Sequence, residues 1–148
     1  MNAIPITFRM LGPKDANVLD YVAIGVFDHE INAQWTAEFF ADSRHHLAVA
    51  LEGQIVVGMA SGVHYVHPDK APELFVNEVG VAPTHQNRGI GRQVLQTLLR
   101  HGHSLGCKEA WLGTELSNAA ARRMYAAAGG EEEAEAMVVV WFKLDVEP

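Results

Sequence analysis

The amino-acid sequence predicts a single domain of the α/β (α+β) class, in which helices cover the faces of a mixed β-sheet. Its 148 residues are 49% hydrophobic, which fits one compact domain with one core. Segments with strand-like and helix-like patterns alternate along the chain, as they do in sheets flanked by helices. No linker or shift in composition marks a boundary, so residues 1–148 are predicted to fold as one unit.

Two helices are predicted after the first strand. That strand, 4–11, ends at Gly12-Pro13, and the apolar residues between 18 and 26 predict a helix over 15–27. Asn32 is suited to cap a second helix. The inward face of this second helix is predicted to contain Trp35, Phe39 and Phe40.

The rest of the chain predicts strands and two further helices. Glu52-Gly53 indicates a hairpin between strands 47–51 and 54–65, and two prolines indicate a loop over 67–72. Period-3.6 apolar residues predict a helix over 89–105 that ends at Gly106. The remaining predicted elements are strands at 74–81, 109–114 and 137–144 and an alanine-rich helix at 118–128.

Composition excludes several classes of function. The net charge of −7 argues against nucleic-acid binding and favours a cationic partner. The sequence has neither an apolar run of membrane-spanning length nor the features of a signal peptide, so a soluble, cytoplasmic protein without membrane contact is expected. The lone cysteine, Cys107, rules out an intramolecular disulfide and is interpreted as core packing. Neither the adjacent pair His45-His46 nor the pair His101 and His103 predicts a metal site.

The segment 77–92 is the most informative part of the sequence. A strand runs into a short loop that opens a helix, with glycines at 89 and 91, and such helix N-termini bind anions. Arg88 and Arg92 would add charge-assisted bonds to a phosphate. The pattern matches neither a P-loop nor a dinucleotide-binding fingerprint. Gly80, inside the preceding strand, indicates either a bulge or a close backbone neighbour.

Two motifs in order resemble the GNAT superfamily of N-acetyltransferases. Gln86-x-x-Gly89-x-Gly91 is similar to the loop that binds the pyrophosphate of acetyl-CoA, and Asn118-x-x-Ala121-x-x-x-Tyr125-x-x-x-Gly129 is similar to the later helix. The resemblance covers nearly the whole chain. It implies the GNAT fold: a mostly antiparallel sheet, splayed at a bulge in its fourth strand near Gly80, with about four helices.

The resemblance also implies acetyl-CoA as co-substrate, with no metal. Backbone amides of 86–92 would hold the pyrophosphate, the strand around Gly80 would pair with the pantetheine amides, and Asn118 would contact the pantetheine arm. The implied coenzyme-binding residues are Val79, Val81, Gln86, Asn87, Arg88, Gly89, Ile90, Gly91, Arg92, Asn118 and Ala121.

Three residues are candidates for catalysis. By resemblance, Tyr125 is the general acid that protonates the leaving CoA thiolate. The acceptor amine must lose a proton, and both Glu78 and His29 are candidates for the base or for an amine-binding group. A strand carboxylate in a core is costly unless it faces a polar cleft, which favours a functional Glu78. His29 titrates in the right range and lies between Asp28 and Glu30. The choice between the two stays open.

Within the superfamily the chain most resembles the GNAT-type aminoglycoside 3-N-acetyltransferases, on segments 9–13, 26–28 and 73–81. This implies antibiotic resistance by acetylation of a small polycationic amine. The implied acceptor-binding residues are Asp28, His29, Glu30, Glu78 and Glu115. Asn118 and Glu78 depart from better-known members and leave the acceptor range open. Another amine acceptor and a non-catalytic CoA-binding domain are the alternatives. The apolar final strand offers a contact for a homodimer, and the oligomeric state stays open.

Overall fold

The computed structural model describes residues 3–145 and contains one five-stranded sheet in the order β1-β2-β3-β4-β5. Strands β1 to β4 pair antiparallel, and β5 pairs parallel to β4. The strands are β1 (Ile6–Leu11), β2 (His45–Glu52), β3 (Ile55–His67), β4 (Lys70–Val81) and β5 (Glu109–Trp111). The α-helices are α1 (Ala33–Ala41), α2 (Ile90–Ser104) and α3 (Ala119–Ala127), with two short 3-10 helices at Ala16–Asp20 and Pro83–His85.

The two faces of the sheet pack two separate cores. On one face α2 lies against the small, fully buried residues Ala48, Ala50 and Ala60, which leave room for its large apolar side chains. On the other face Leu19 and Val26, from the chain between β1 and α1, pack against alternate residues of β2 and against Val56 and Met59 of β3. The alternation follows from the two-residue period of a strand. Both faces of the central strands are therefore buried.

Several predicted elements are confirmed. The hairpin turn at Gly53 adopts φ +60, and α2 ends before Gly106 at φ +89, both in the left-handed region that favours glycine. The Asn32 side chain accepts a hydrogen bond of 2.9 Å from the Trp35 amide and so caps α1. Trp35 itself is 69% exposed, so the predicted inward face of α1 is restricted to Phe39 and Phe40. Cys107 lies in the core, as interpreted.

The predicted helix over 15–27 is wrong beyond Asp20. The Ala23 amide donates to the Val56 carbonyl and the Val56 amide donates to the Tyr21 carbonyl, both at 2.9 Å, so this stretch pairs with β3. Gly25 then adopts φ +87, which a helix does not allow. Segment 26–28 is therefore an extended loop and not a helix end. Three α-helices, together with the two 3-10 helices, replace the four expected.

The ends of some strands also differ from the prediction. The expected loop over 67–72 is shorter in the structure. It is a two-residue turn at 68–69, because β3 continues to His67 and β4 begins at Lys70. Strand β5 stops at Trp111 and does not reach 114. Residues 137–144, predicted as the last strand, have no strand pairing and are exposed.

The irregularity in β4 lies at Asn77. Ser61 pairs with Glu78 whereas Gly62 pairs with Val76, so Asn77 is the extra residue of a bulge. The bulge expected near Gly80 is thus slightly earlier in the strand. Gly80 instead has a close backbone neighbour, which was the alternative explanation, because a Cβ there would collide with the carbonyl oxygen of Val26.

Candidate functional site

A gap opens between β4 and the neighbouring edge strand β5. They pair only where Glu73–Phe75 of β4 meets Glu109–Trp111 of β5. The bulge at Asn77 follows directly, and β4 continues to Val81 still paired with β3. In the described part of the chain, residues 76–81 therefore have no β5 partner, and the predicted splaying of the sheet is confirmed.

The loop between β4 and α2 presents backbone amides at the end of this gap. Asn87 (φ 62) and Gly89 (φ 74) are both left-handed, and Asn87 is the one described non-glycine residue with positive φ. Gly89 is the N-cap of α2 and provides no side-chain hydrogen bond. Amides in the first turn of α2 are thus left without a side-chain acceptor. This combination of left-handed loop residues and an uncapped helix start is typical of an anion-binding concavity.

Side chains around the loop hold it in place. His85 Nε2 lies 3.1 Å from a Glu52 carboxylate oxygen and ties the loop to the β2–β3 hairpin. The Gln86 side-chain amide donates to the Val81 carbonyl at 3.4 Å, so this glutamine reaches back to β4. Arg88 and Arg92 are exposed beside the loop. A Cβ at Gly91 would be in ordinary contact with Val81 and Met124, so Gly91 marks where α2 packs on β4 and α3.

Helix α3 brings the second motif to the same region. The Asn118 side chain accepts a hydrogen bond of 3.1 Å from the Ala121 amide and caps the helix. Tyr125 is half-buried and packs on the same core cluster as Val79 and Val81 of β4. Burial raises the pKa of the Tyr125 hydroxyl, so it stays protonated at neutral pH.

Glu78 and the loop from Asp28 to Glu30 form the polar part of the site. Glu78 is half-buried on β4 next to the bulge, and its pKa is raised by burial first and by the negative charge of Asp28 second. His29 acts in the opposite direction and lowers it. Asp28 and His29 therefore both act electrostatically on Glu78, the other residue that the sequence left open as the base.

Beside these residues lies an acidic hollow of about 870 Å³, lined by 16–17, 19–20, 22–25, 27–31, 33 and 36–37. Three carboxylates, of Asp20, Asp28 and Glu30, line it together with His29, and its described lining contains no lysine or arginine. Glu78 and Tyr125 are not part of the lining. The hollow therefore suits a cation beside the gap between the strands.

Sequence reasoning did not single out Asp20, and the predicted acceptor-binding residue Glu115 lies outside the acidic hollow. Asp20 was hidden because the predicted helix over 15–27 left no reason to place it at a site. Glu115 lies in the turn before α3, where its carbonyl accepts from the Asn118 amide, and it does not line the acidic hollow. The acidic run after α3 is in part structural, since Arg122 makes two hydrogen bonds to Glu132 at 2.7 and 2.9 Å.

Among residues 3–145, no group of three or more His, Cys, Asp or Glu is arranged to hold a metal ion. No helix in the same range has the length and apolar character that crossing a bilayer requires.

The fold and the site define an acyl-transferase-like architecture with an anion-binding loop beside a splayed sheet. Residues 17–129 match the acetyltransferase (GNAT) family. This chain belongs to the GNAT acetyltransferase family.

Two curated relatives match parts of the chain. The mycothiol acetyltransferase of Saccharopolyspora erythraea is 39% identical over 66 residues, which are 43% of this chain and 21% of that protein. The aminoglycoside N(6′)-acetyltransferase type 1 of Salmonella typhimurium is 29% identical over 93 residues, which are 59% of this chain and 64% of that protein. The chain thus spans less than two thirds of either relative.

Solved structures share the fold. An aminoglycoside acetyltransferase from an uncultured soil metagenomic sample, in complex with trehalose, aligns with a TM-score of 0.80 at 15% identity, over 94% of this chain and 96% of that one. The aminoglycoside acetyltransferase AAC(6′)-Iy, in complex with the bisubstrate analogue CoA-S-monomethyl-acetylneamine, aligns with a TM-score of 0.74 at 18% identity, over 94% and 99% of the chains. The aminoglycoside N(6′)-acetyltransferase type 1 and AAC(6′)-Iy are 6′ enzymes, so the 3-N type expected from the resemblance is not the type of these relatives.

Proposed function

We propose that this protein is an acetyl-CoA-dependent N-acetyltransferase that acetylates a primary amine of an aminoglycoside. The observation that carries the proposal is the uncapped start of α2, preceded by left-handed Asn87 and Gly89, at the end of the gap between β4 and β5. A pyrophosphate fits such a loop because the free amides and the helix dipole both favour an anion. The proposed site of action is the cytoplasm, where acetyl-CoA is available.

The proposed residues have two kinds of role, coenzyme binding and proton transfer. The backbone amides of 86–92 bind the pyrophosphate, and Arg88 and Arg92 add positive charge beside it. The pantetheine lies next to Val79 and Val81 of β4 and next to the start of α3, at Asn118 and Ala121. When bound, acetyl-CoA supplies the acetyl group that the acceptor amine takes up as CoA is released.

The Tyr125 hydroxyl, kept protonated by burial, holds the proton that the departing sulfur needs. On the acceptor side, Glu78 receives the proton of the amine, because burial and Asp28 raise its pKa towards neutrality. His29 is the competing base.

The acidic hollow supports a polycationic acceptor. Aminoglycosides carry several ammonium groups, and Asp20, Asp28 and Glu30 offer three carboxylates in one cavity with no basic side chain in its described lining. The net charge of −7 would attract such a cation to the protein. Because two of the aminoglycoside acetyltransferases named above are 6′ enzymes, we propose the 6′ amine as the acetylated group, with the 3-N amine as the alternative.

The experiment is an assay of CoA thiol release by the purified protein. Acceptors are two aminoglycosides that differ only in carrying an amine or a hydroxyl at the 6′ position, with a small polyamine as a third. Release with the 6′-amine compound alone supports the proposal. Equal release with both aminoglycosides points to another amine such as the 3-N group, which NMR of the product identifies. Release with the polyamine only, or none despite calorimetric binding of acetyl-CoA, would contradict an aminoglycoside acceptor.

A second candidate function is acetylation of a different amine. It is supported by the 39% identity to the mycothiol acetyltransferase over 66 residues. Turnover with the acceptor of a mycothiol acetyltransferase, exceeding that with any aminoglycoside, would favour this candidate over the first.

Variants of the three candidate catalytic residues test their roles. Tyr125→Phe is expected to lower turnover about 10- to 1,000-fold, the range for a lost general acid. Tyr21→Phe is the matched control, because Tyr21 is exposed. For the base, the pH profiles of Glu78→Gln and His29→Ala are compared. The variant that loses the rise of activity with increasing pH identifies the base, and an unchanged profile in both would remove both residues from that role.

A further inference from the structure

The tip of the β2–β3 hairpin contacts the loop before α2 at two places, and the first contact is between backbones. The register of β2 and β3 shifts close to the turn, which leaves Val57 as the extra residue of a bulge. The Val57 carbonyl accepts a hydrogen bond of 2.9 Å from the amide of Ala82. Ala82 is fully buried, so this contact fixes the point at which the loop leaves β4.

The second contact is between side chains, at the end of the short 3-10 helix Pro83–His85. Glu52 is the last residue of β2, and one of its carboxylate oxygens lies 3.1 Å from His85 Nε2. The other ring nitrogen, Nδ1, lies 2.8 Å from the hydroxyl oxygen of Thr84. A neutral imidazole satisfies both partners, because Nε2–H donates to the carboxylate and Nδ1 accepts from the hydroxyl. The ring is therefore held on both sides.

His85 is the one partly buried residue among 83–89, since the other six are exposed. Asn87 and Gly89, which come shortly after it, are left-handed at φ 62 and φ 74. A residue with a side chain rarely adopts such a φ, and it keeps this conformation only where the neighbouring structure fixes it. The contact between His85 and Glu52 ties this exposed stretch to the sheet.

We propose that Glu52 and His85 are positioning residues for CoA, which hold the loop at 86–89 in its left-handed conformation before the pyrophosphate binds. This inference rests on the proposed function, because that function places the pyrophosphate at this loop. A loop that is already ordered loses less conformational entropy on binding, so its affinity for the ligand is higher. Neither side chain has to contact CoA for this effect. Glu52 acts through His85, and His85 acts through the backbone of the loop.

The charge of Glu52 gives the proposal a sharp test, because positioning and electrostatics predict opposite results. A carboxylate close to the pyrophosphate site repels an anion. If Glu52 acted only through its charge, its removal would strengthen CoA binding. If Glu52 positions the loop, removal of the contact weakens CoA binding. The direction of the change in the dissociation constant therefore separates the two effects.

The first test is calorimetry with CoA on Glu52→Ala and Glu52→Gln. Glu52→Ala removes the hydrogen-bond acceptor of His85, and its dissociation constant is expected to be about 10-fold higher than that of the wild type, as for a lost hydrogen bond to a charged group. Glu52→Gln removes the charge but keeps a side-chain oxygen as acceptor, so its dissociation constant is expected to equal that of the wild type or to be lower. Equal or tighter binding by Glu52→Ala, or the same loss in both variants, would overturn the proposal.

Asp42→Ala is the matched control. The Asp42 carboxylate pairs with Arg44 beyond the opposite end of β2, and its side chain is 32% exposed, against 30% for Glu52. The substitution removes the same charge and a similar ion pair at a distance from the loop before α2. It is expected to leave the affinity for CoA unchanged. A loss equal to that of Glu52→Ala would show a general effect of removing an ion pair and would also overturn the proposal.

A double-mutant cycle shows whether the two side chains act through each other. His85→Ala is expected to raise the dissociation constant about as much as Glu52→Ala, and the double variant is expected to raise it no further. In steady-state kinetics, all three variants are expected to raise the KM for acetyl-CoA and to leave kcat nearly unchanged. Fully additive effects on the dissociation constant, or a loss in kcat alone, would refute a role of this contact in positioning the loop.

NMR relaxation of the protein without CoA separates this inference from the proposed function. In Glu52→Ala the order parameters of the backbone amides at 86–89 are expected to fall, while those in the middle of α2 stay as in the wild type. If the wild type does not bind CoA, the proposed function fails, and a fall in these order parameters still shows that the contact fixes the loop. If the wild type binds CoA and the order parameters of Glu52→Ala are unchanged, the proposed function stands and the positioning role is refuted.

Discussion

Three histidines that are distant in sequence form a hydrogen-bonded chain in the structure. From this chain we predict that the free energy of unfolding decreases at acidic pH. His46 Nε2 lies 2.7 Å from His64 Nδ1, and His101 Nε2 lies 3.2 Å from His46 Nδ1. His46 is only 6% exposed. Neutral rings satisfy this chain, since His101 can donate to His46 and His46 can donate to His64. A protonated His46 carries a positive charge that is almost completely buried, and burial disfavours this charged form.

The pKa of His46 is accordingly lowered from 6.5 to about 4, by burial first and then by the charges of His101, His64 and His45, with Asp42 acting in the opposite direction. A folded pKa below the unfolded one means that the unfolded chain binds more protons between pH 4 and 6.5. The free energy of unfolding is therefore fully present above about pH 6.5 and is lost as the pH falls towards 4. At 1.36 kcal/mol per unit, a shift of this size corresponds to about 3 kcal/mol.

The perturbation is His46→Gln, whose amide keeps one donor and one acceptor but does not titrate. Urea unfolding at pH 7, 6, 5 and 4.5 measures the free energy of unfolding of the wild type, of His46→Gln and of the exposed control His103→Gln. The wild type and the control are expected to lose most of the 3 kcal/mol across this range. In His46→Gln the free energy of unfolding is expected to fall by about 3 kcal/mol less than in the wild type over the same pH range. This difference does not depend on the stability of the variant at pH 7. Parallel curves for all three proteins would refute the reasoning.

Three further substitutions test local geometry. Gly80→Ala places a methyl group against the Val26 carbonyl oxygen. The free energy of unfolding, measured in urea, is expected to fall by about 1–3 kcal/mol, and the KM for the amine is expected to rise. Unchanged stability would show that the two backbones separate freely. Gly89→Ala puts a side chain at φ 74. This is expected to weaken CoA binding in calorimetry and to lower the free energy of unfolding by about 1 kcal/mol. Equal affinity for CoA would show that the left-handed conformation of Gly89 is not needed for phosphate binding. Asn32→Ala removes the cap of α1 and is expected to cost about 1 kcal/mol, seen as a lower Tm; an unchanged Tm would mean that water replaces the cap.

The parts of the fold that sequence predicts well are those determined locally. Helix α2 has a long apolar period with a left-handed glycine at each end, and the hairpin at Gly53 has its own turn signal. The anion-binding loop could also be predicted, because its glycines and arginines are close together in the sequence. The sequence signal for each of these features lies within one short segment of the chain.

The parts that sequence missed depend on tertiary contacts. The stretch after Asp20 has a helical pattern, but hydrogen bonds with Val56 and the packing of Gly25, where a Cβ would lie 2.7 Å from Pro83, hold it as a loop. The contribution of Asp20 to the acidic hollow was missed with it, whereas Asp28, His29 and Glu30 were already predicted as acceptor-binding residues. The position of the bulge at Asn77 depends on register with β3, which no local signal encodes. The apolar run at 137–144 reads as a strand, and the single chain offers it no neighbour.

Gly25 lies against Pro83, and Gly80 lies against the carbonyl of Val26, so the loop around residues 24–30 is packed against the segment 80–83 that leads into the loop before α2. Under the proposed function, this packing fixes the acceptor side relative to the coenzyme side. The accepted amines can then change through exposed side chains of the loop, such as Ile24 and Glu30. Variants with an altered acceptor range are expected to carry replacements at these exposed positions while both glycines stay unchanged.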